Sequence, residues 1–541
     1  MKKYLLPLIL LISLFLRIFQ LSQFPAGLNA DEAAIGYNTY SLLTTGKDEF
    51  GHSWPISFQS FNDFKPGLYF YLTLPFVGIF GLSEFSVRLP SALLGVGIVL
   101  LAYLIAKQIF KEEKAALVSA FLFSISPWAL HFSRGGWESN AALFFMVLGV
   151  YLFFLCLKKK VFLIFSVLAF IASVYTYHSA RIIAPLLLLG LVSLYKKQIL
   201  IKSNLKTILV SVVAGIFLVF PVLISMFGEG GTSRFSGVGI FADQGPLWRA
   251  NEMRGQHANP FSLIPRVFHN KVIEYGFKFL GNYLSHFNGN FLFISGDEIQ
   301  RNKIPEMGQM YLVEIPFLLL GFFFLFKKKP GGWLFMLWWL AVSPVASALT
   351  FQSPHAIRAL NMAFPLIVIA GYGLYCFFEE LRGRLKKVQK PLLLLVALVY
   401  FWNISFYLHQ YYIHYPQTYP ASWQYGFKEL VDYVYQNQDN YEKVYVTSKY
   451  DQPYILFAFY LKYPPSVFQT EARLSERDVY GFSTVENFSK YYFGPISLGS
   501  SVYTSRSLVV GTPEEIPDSA TIVKRIYFKD GKTEAFRIIE N

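Results

Sequence analysis

Two adjacent carboxylates, Asp31 and Glu32, follow the first apolar stretch of the chain in the run Leu28-Asn29-Ala30-Asp31-Glu32-Ala33. An acid held where a chain leaves a bilayer can take a proton from a substrate delivered by the membrane, and acids next to lipid are costly enough to mark function. Farther along, Lys65 precedes Pro66 and Gly67, a point charge suited to an anionic headgroup. Other cationic candidates are Arg134 in His131-Phe132-Ser133-Arg134, the pair His178 and Arg181, and the pair His355 and Arg358. An arginine fork can bind two phosphate oxygens at once. One more acid, Glu138, follows Trp137. Taken singly, each arginine also reads as an interfacial anchor that snorkels to headgroups, and each histidine as a hydrogen-bonding loop residue. Glu138 also reads as an acid favoured by a helix N-terminus.

The elements that must carry these residues lie in a membrane. The 541 residues are 54% hydrophobic, 18% aromatic and only 15% charged, with a mean hydropathy of +0.39, more apolar surface than a soluble core could enclose. The net charge of +14 resides in short Lys and Arg clusters between apolar runs, as in cytoplasmic loops beside anionic lipid, which argues against nucleic acid as a partner. Cys156 and Cys376 sit inside apolar runs, which leaves neither a disulfide framework nor a thiolate metal site.

Run length predicts about eleven crossings, near 4–21, 88–106, 115–131, 139–157, 161–177, 180–195, 207–227, 311–326, 332–350, 359–378 and 391–408. With the N-terminus cytoplasmic, every dense basic cluster falls on one side, including Lys2-Lys3, Lys158-Lys159-Lys160 and Lys327-Lys328-Lys329. That regularity favours two short helices over 161–195, broken at Tyr177-His178-Ser179-Ala180-Arg181, against one long tilted helix that would invert everything downstream. The first helix reads as an uncleaved anchor rather than a signal peptide, its apolar stretch being long for one. The domains expected are a transmembrane part, residues 1–408, with outward loops 22–87 and 228–310, and an extracytoplasmic soluble α/β domain, residues 409–541. Periodicity predicts a helix at Phe427 to Tyr435 and strands at Lys443 to Thr447, Ser507 to Gly511, Thr521 to Phe528 and Glu534 to Ile539. In the first loop, Ala33 to Leu43 predicts a helix on the membrane surface, and Pro66 is expected to open a second one with Lys65 at its entrance.

The succession Asp31-Glu32-Ala33, Gly46, Lys65-Pro66-Gly67-Leu68-Tyr69-Phe70-Tyr71 and the run from Gly81 through Arg88-Leu89-Pro90 to Gly95 resembles the N-terminal signature of the polytopic glycosyltransferases of the GT-C type. The likeness is greatest to the family 39 group, with its protein O-mannosyltransferases and aminoarabinose transferases of lipid A. The resemblance implies transfer of a sugar from a polyprenyl-phosphate carrier to an acceptor hydroxyl of a protein, lipid or glycan, on the outer face of the cell membrane, usually with inversion. It carries over Asp31 as the base with Glu32 beside it, and Lys65 as the donor-phosphate ligand. Arg134, His178, Arg181, His355 and Arg358 are the other phosphate candidates, and Glu138 matches a second acid that such enzymes often use. A divalent ion serves some relatives. Here the position before the lysine, acidic in the aminoarabinose transferases, is Phe64, and Asp63 is out of register, so no ligand set transfers.

Loop 228–310 mixes aromatic, glycine and polar residues, as in Arg234-Phe235-Ser236-Gly237 and around Tyr283, which suits a sugar-binding cover as well as an interfacial belt. A second acidic pair, Asp297-Glu298, precedes no comparable motif. Two other functions compete with the transferase: a lipid-linked sugar flippase or transporter, whose charges would line a path near mid-membrane, and a non-catalytic scaffold.

Overall fold

The computed structural model describes residues 4–61, 63–201, 204–227, 237–476, 483–499 and 503–541. Lys2-Lys3 and Arg234 lie outside them, as does the side chain of Asp63. The chain divides into two bodies. The first comprises residues 1–13, 95–132 and 139–405; the second joins 14–94, 133–138 and 406–541.

The first body is helical. A helix stands in each predicted apolar run, and 161–195 holds two, Phe162–Val174 and Ala180–Ile199, so the single long helix is ruled out. Among the described residues, six helices are long and apolar enough to cross a membrane, or seven if the bent pair Glu113–Ile125 and Pro127–Ser133 is one span. Leu5–Ile18, Phe162–Val174 and Trp333–Ala348 are shorter apolar segments. Helices Glu314–Lys328 and Ala363–Arg384 meet through Gly321 and Gly373, where a methyl group would overlap the carbonyl oxygens of Ile369 and Phe317. Small residues at a helix crossing are how backbones approach closely in lipid.

The second body is built on a seven-stranded mixed sheet of β3 (Lys443–Thr447), β4 (Arg473–Leu474), β5 (Val485–Phe488), β6 (Tyr491–Gly494), β7 (Ser507–Gly511), β8 (Ile522–Tyr527) and β9 (Glu534–Glu540), ordered β4-β5-β6-β3-β7-β9-β8. The central strand β3 runs parallel to β6 and β7, and the outer pairs are antiparallel. Buried on both faces, β7 reads as an apolar run, as central parallel strands do. Helices Phe427–Asn437, Pro453–Tyr460 and Pro465–Glu471 belong to the same body.

From the first loop this body takes helix Ala30–Thr45, the hairpin β1 (Ser57–Ser60) and β2 (Asp63–Pro66), and helix Leu68–Phe80. Helix Ala30–Thr45 begins because Asn29 is extended and its side chain accepts the Glu32 N–H at 3.1 Å, and it ends at Gly46, whose φ of 71° is the left-handed conformation. Its first-turn Ala30 N–H is taken by the side-chain oxygen of Gln424, far along the chain. This helix is no surface helix: it is buried on nearly every side, against Leu68–Phe80, Pro453–Tyr460 and Pro465–Glu471. Gly36 makes the fit possible, since a methyl there would stand 2.5 Å from the Phe459 ring.

Nor does Pro66 open a helix. Lys65 and Pro66 end the second strand of the hairpin, paired with Phe58 and Ser57, and the helix starts at Leu68. Gly67 allows this close turn, because its N–H meets the Ile56 carbonyl at 3.0 Å and a methyl would press on that same oxygen.

Candidate active site

Asp31 and Glu32 are consecutive in the first turn of a helix, so their side chains point about 100° apart. They meet different surroundings. Glu32 turns inward and is fully buried; Arg88 grips it with Nε on Oε1 and Nη2 on Oε2, both at 2.9 Å, and the Gly136 N–H donates to Oε1 at 2.8 Å. The rest of the Arg88 guanidinium donates to the carbonyls of Leu21 at 3.2 Å, Pro25 at 3.0 Å and Gly27. Gly136 leaves room for this approach, since a methyl would lie 3.0 Å from Val87 and 3.3 Å from Glu32 and press on both. A buried ion pair with bidentate geometry and its other valences filled is held firmly.

Asp31 turns the other way. Its carboxylate is in direct contact with the Lys65 ammonium, with 33% of the Asp31 side chain exposed against 10% of that of Lys65. Strand β2 supplies the lysine, whose Nζ also lies 5.1 Å from the centre of the Phe61 ring. The result is an accessible carboxylate touching a nearly enclosed cation.

Arg134 is buried and spends its donors on main chain: Nη1 on the Leu16 carbonyl at 2.6 Å, Nη2 on those of Phe19 at 2.7 Å and Phe24 at 3.4 Å. Its guanidinium lies over Tyr411 and Tyr412 at 5.1 and 5.5 Å. Bonded in this way, it clamps the end of the first helix. Glu138 is buried at the start of helix Glu138–Cys156 and acts with Glu32 on the Tyr69 hydroxyl, which burial foremost, and then both acids, push well above the usual phenol range.

Asp31, Glu32, Lys65, Arg134 and Glu138 thus share one body, while His178, Arg181, His355 and Arg358 belong to the other. His178 and the first-turn Arg181 are half-buried at the break between helices Phe162–Val174 and Ala180–Ile199. Arg358 donates to the Thr350 hydroxyl at 2.9 Å. His355 is buried, and desolvation, with Arg358, His286 and Arg301 adding repulsion, drives it well below the usual imidazole range, so it brings no positive charge. The main-chain N–H of His355 donates to His286 Nε2 at 3.2 Å. Asp297, of the second acidic pair, is a structural knot: it accepts from the N–H groups of Ala356 at 2.6 Å and Ile299 at 2.9 Å and from Asn302 at 3.1 Å.

Among the described residues no group of three His, Cys, Asp or Glu side chains could hold a metal ion, and no step is assigned to one. The residue that sequence reasoning passed over is Arg88. It lies within the quoted Gly81 to Gly95 motif, but only the fold discloses that it is the partner of Glu32.

The comparisons with known proteins bear on this geometry. Residues 65–224 match the family described as dolichyl-phosphate-mannose-protein mannosyltransferase. Over 155 residues the chain is 31% identical to "Putative mannosyltransferase YkcB" of Bacillus subtilis (strain 168), covering 28% of this chain and 20% of that protein. Over 126 residues it is 36% identical to an uncharacterized protein of Aquifex aeolicus (strain VF5), covering 23% and 28% of the two. The chain thus spans a fifth to about a quarter of the length of these relatives. In fold it is similar to ArnT from Cupriavidus metallidurans bound to undecaprenyl phosphate, with a TM-score of 0.52, 12% identity and coverage of 99% of this chain and 97% of that one. It is equally similar to the archaeal oligosaccharyltransferase AglB from Archaeoglobus fulgidus in complex with an inhibitory peptide and a dolichol-phosphate, with a TM-score of 0.52, 15% identity and coverage of 85% and 63%.

Proposed function

We propose that this chain, which has the fold of the GT-C membrane glycosyltransferases, moves a sugar from a polyprenyl-phosphate donor to an acceptor hydroxyl on the extracytoplasmic face of the cell membrane, with inversion and with Asp31 as base. The observation that carries this reading is the direct contact of a partly exposed Asp31 with a nearly enclosed Lys65. When the donor enters, its phosphate competes for the lysine. A carboxylate released from a cationic partner becomes a stronger base, so loading the donor prepares Asp31 for the acceptor.

In the reaction the acceptor oxygen forms a bond to the anomeric carbon from the face opposite the phosphate while its proton passes to Asp31. The bond from the anomeric carbon to the phosphate oxygen breaks with its electron pair, leaving polyprenyl phosphate, whose added charge Lys65 neutralises. Glu32 is a positioning residue: locked to Arg88 and Gly136, it fixes the first turn from which Asp31 projects. The part of the reading drawn from likeness is the lipid-linked donor, the solved structures of similar fold having been captured with undecaprenyl phosphate and with a dolichol-phosphate.

The test supplies purified protein in sealed proteoliposomes with undecaprenyl-phosphate-linked sugars and a cell-envelope extract as the source of acceptor hydroxyls, and follows release of undecaprenyl phosphate. Wild type is expected to release it and Asp31→Asn to lose nearly all turnover, about a thousandfold or more for removal of a general base. Relocation of the intact lipid without release would instead identify a transporter and sink the proposal.

A further inference from the structure

Within electrostatic reach of Lys65 lies a further acid that the proposed transfer does not use. Glu49 follows helix Ala30–Thr45 and is completely buried. Asn38 holds one side of it, donating to Oε1 at 3.1 Å and accepting the Glu49 N–H at 2.9 Å. Oε2 makes no hydrogen bond among the described residues, and neither does the hydroxyl of the fully buried Tyr454 in helix Pro453–Tyr460. Glu49 and Tyr454 are within electrostatic reach of each other, and Glu49 is likewise within reach of Lys65 and Tyr37.

Aromatic rings wall the place. Tyr454 meets Phe61 edge-on at 6.0 Å and Phe468 face-on at 6.2 Å, and Tyr37 meets Phe468 at 5.5 Å. Phe61 is also the ring beneath the Lys65 ammonium. Buried polar atoms left without partners are costly, and a few of them set among aromatic faces are the usual make-up of a small-molecule site.

We propose that Glu49 and Tyr454 recognise the donor's sugar, hydrogen-bonding hydroxyl groups of the glycosyl unit whose phosphate Lys65 holds. The assignment rests on the transferase reading and deepens it. A group attached to a phosphate held at Lys65 must lie near that lysine, and the Phe61 ring that touches the lysine also touches Tyr454, with Glu49 within electrostatic reach of both Lys65 and Tyr454. Burial, reinforced by the charge of Asp48 and opposed by Asn38 and Lys65, pushes the Glu49 carboxyl up to about 8. At neutral pH it is therefore chiefly protonated and, like each sugar hydroxyl, can both donate and accept. A site that bonds substrate hydroxyls discriminates sharply, because the wrong sugar leaves its buried groups unpaired.

The experiment measures binding of bare undecaprenyl phosphate and of a panel of undecaprenyl-phosphate-linked hexoses and pentoses to the full-length chain in nanodiscs. Wild type is expected to bind one sugar-bearing lipid more tightly than the bare phosphate. Glu49→Ala and Tyr454→Phe should each weaken that complex about tenfold, the worth of a lost buried hydrogen bond, and leave the bare phosphate within about twofold. Glu49→Gln, which can also donate and accept, should retain the preference at pH 7. If Tyr454→Phe and Glu49→Ala leave the sugar-bearing lipid unaffected, or weaken both lipids alike, the assignment is overturned while the transferase reading survives. A wild-type chain that binds no sugar-bearing lipid overturns the transferase reading itself.

Discussion

The two neighbouring acids illustrate how one helical step divides labour. Glu32 and Arg88 are both fully buried, so neutralising either alone strands a charge inside protein. Glu32→Gln or Arg88→Met is expected to cost about 3–5 kcal/mol of stability, the range for a broken buried pair, and the double variant less than the sum of the two. Thermal melts of the four proteins read this out. Asp31→Asn should instead melt close to wild type, separating the proposed base from a residue that holds the fold. Glu49 makes a prediction of the opposite electrostatic kind. Its folded value of about 8 exceeds the ordinary 4.5, so the folded protein binds the extra proton between those limits. The stabilisation from Glu49 is complete below about 4.5 and is lost as pH rises through 8, in the presence of Asp48, Lys65, Tyr37 and Tyr454. The melting temperature of Glu49→Gln should therefore fall less between pH 6 and pH 9 than that of wild type.

At the scale of elements, the sequence told much about helices and less about how they are used. Apolar runs and lysine flanks located a helix at each expected crossing, including the break before Ala180, because helix length against bilayer thickness is a one-dimensional signal, whereas helices Gly245–Gly255 and Lys271–Ser285 of the first body, inside loop 228–310, were not read. The surface helix expected from Ala33 to Leu43 failed because its apolar residues fit a membrane surface as well as they fit protein; Gly36 was the clue that something large presses on it. Pro66 misled for a related reason: proline starts helices and also ends strands, and the pairing of Phe58 with Lys65 decides between them. Strands Lys443–Thr447 and Ser507–Gly511 were legible as β-branched runs, whereas β4, of two residues, and the short helix Pro453–Tyr460 leave too little pattern to read. Gly36→Val is expected to destabilise the protein by about 2 kcal/mol through overpacking against Phe459 and Val87, and to lower transfer because the displaced helix carries Asp31. Melting and turnover measured on the same preparation test both effects.

For the whole molecule, contacts distant in sequence matter most. The Asp31–Lys65 half of the site was readable from motifs, since both residues fall in one stretch of the first loop. Its support was not: Gln424 accepts the Ala30 N–H and donates to the carbonyls of Tyr450 and Asp451, joining the first loop to the C-terminal segment through one side chain. No local pattern marks a glutamine as a cap for a helix 394 residues away. Gln424→Ala should remove that cap at a cost of about 1–2 kcal/mol and reduce turnover without affecting the Arg88 pair. Hydrogen exchange at Ala30 and neighbouring amides, faster in the variant, is the direct measurement.

The reach of Gln424 back to Ala30 also bears on how the protein is made. The ribosome delivers residue 30 early and residue 424 only after a long series of hydrophobic segments has been threaded into lipid. Until then the nascent first turn keeps an unmatched amide, and helix Pro453–Tyr460, which packs against the helix it begins, has yet to be translated. The helix that carries Asp31 and Glu32 is thereby completed last, when the C-terminal segment arrives to cap it and pack against it.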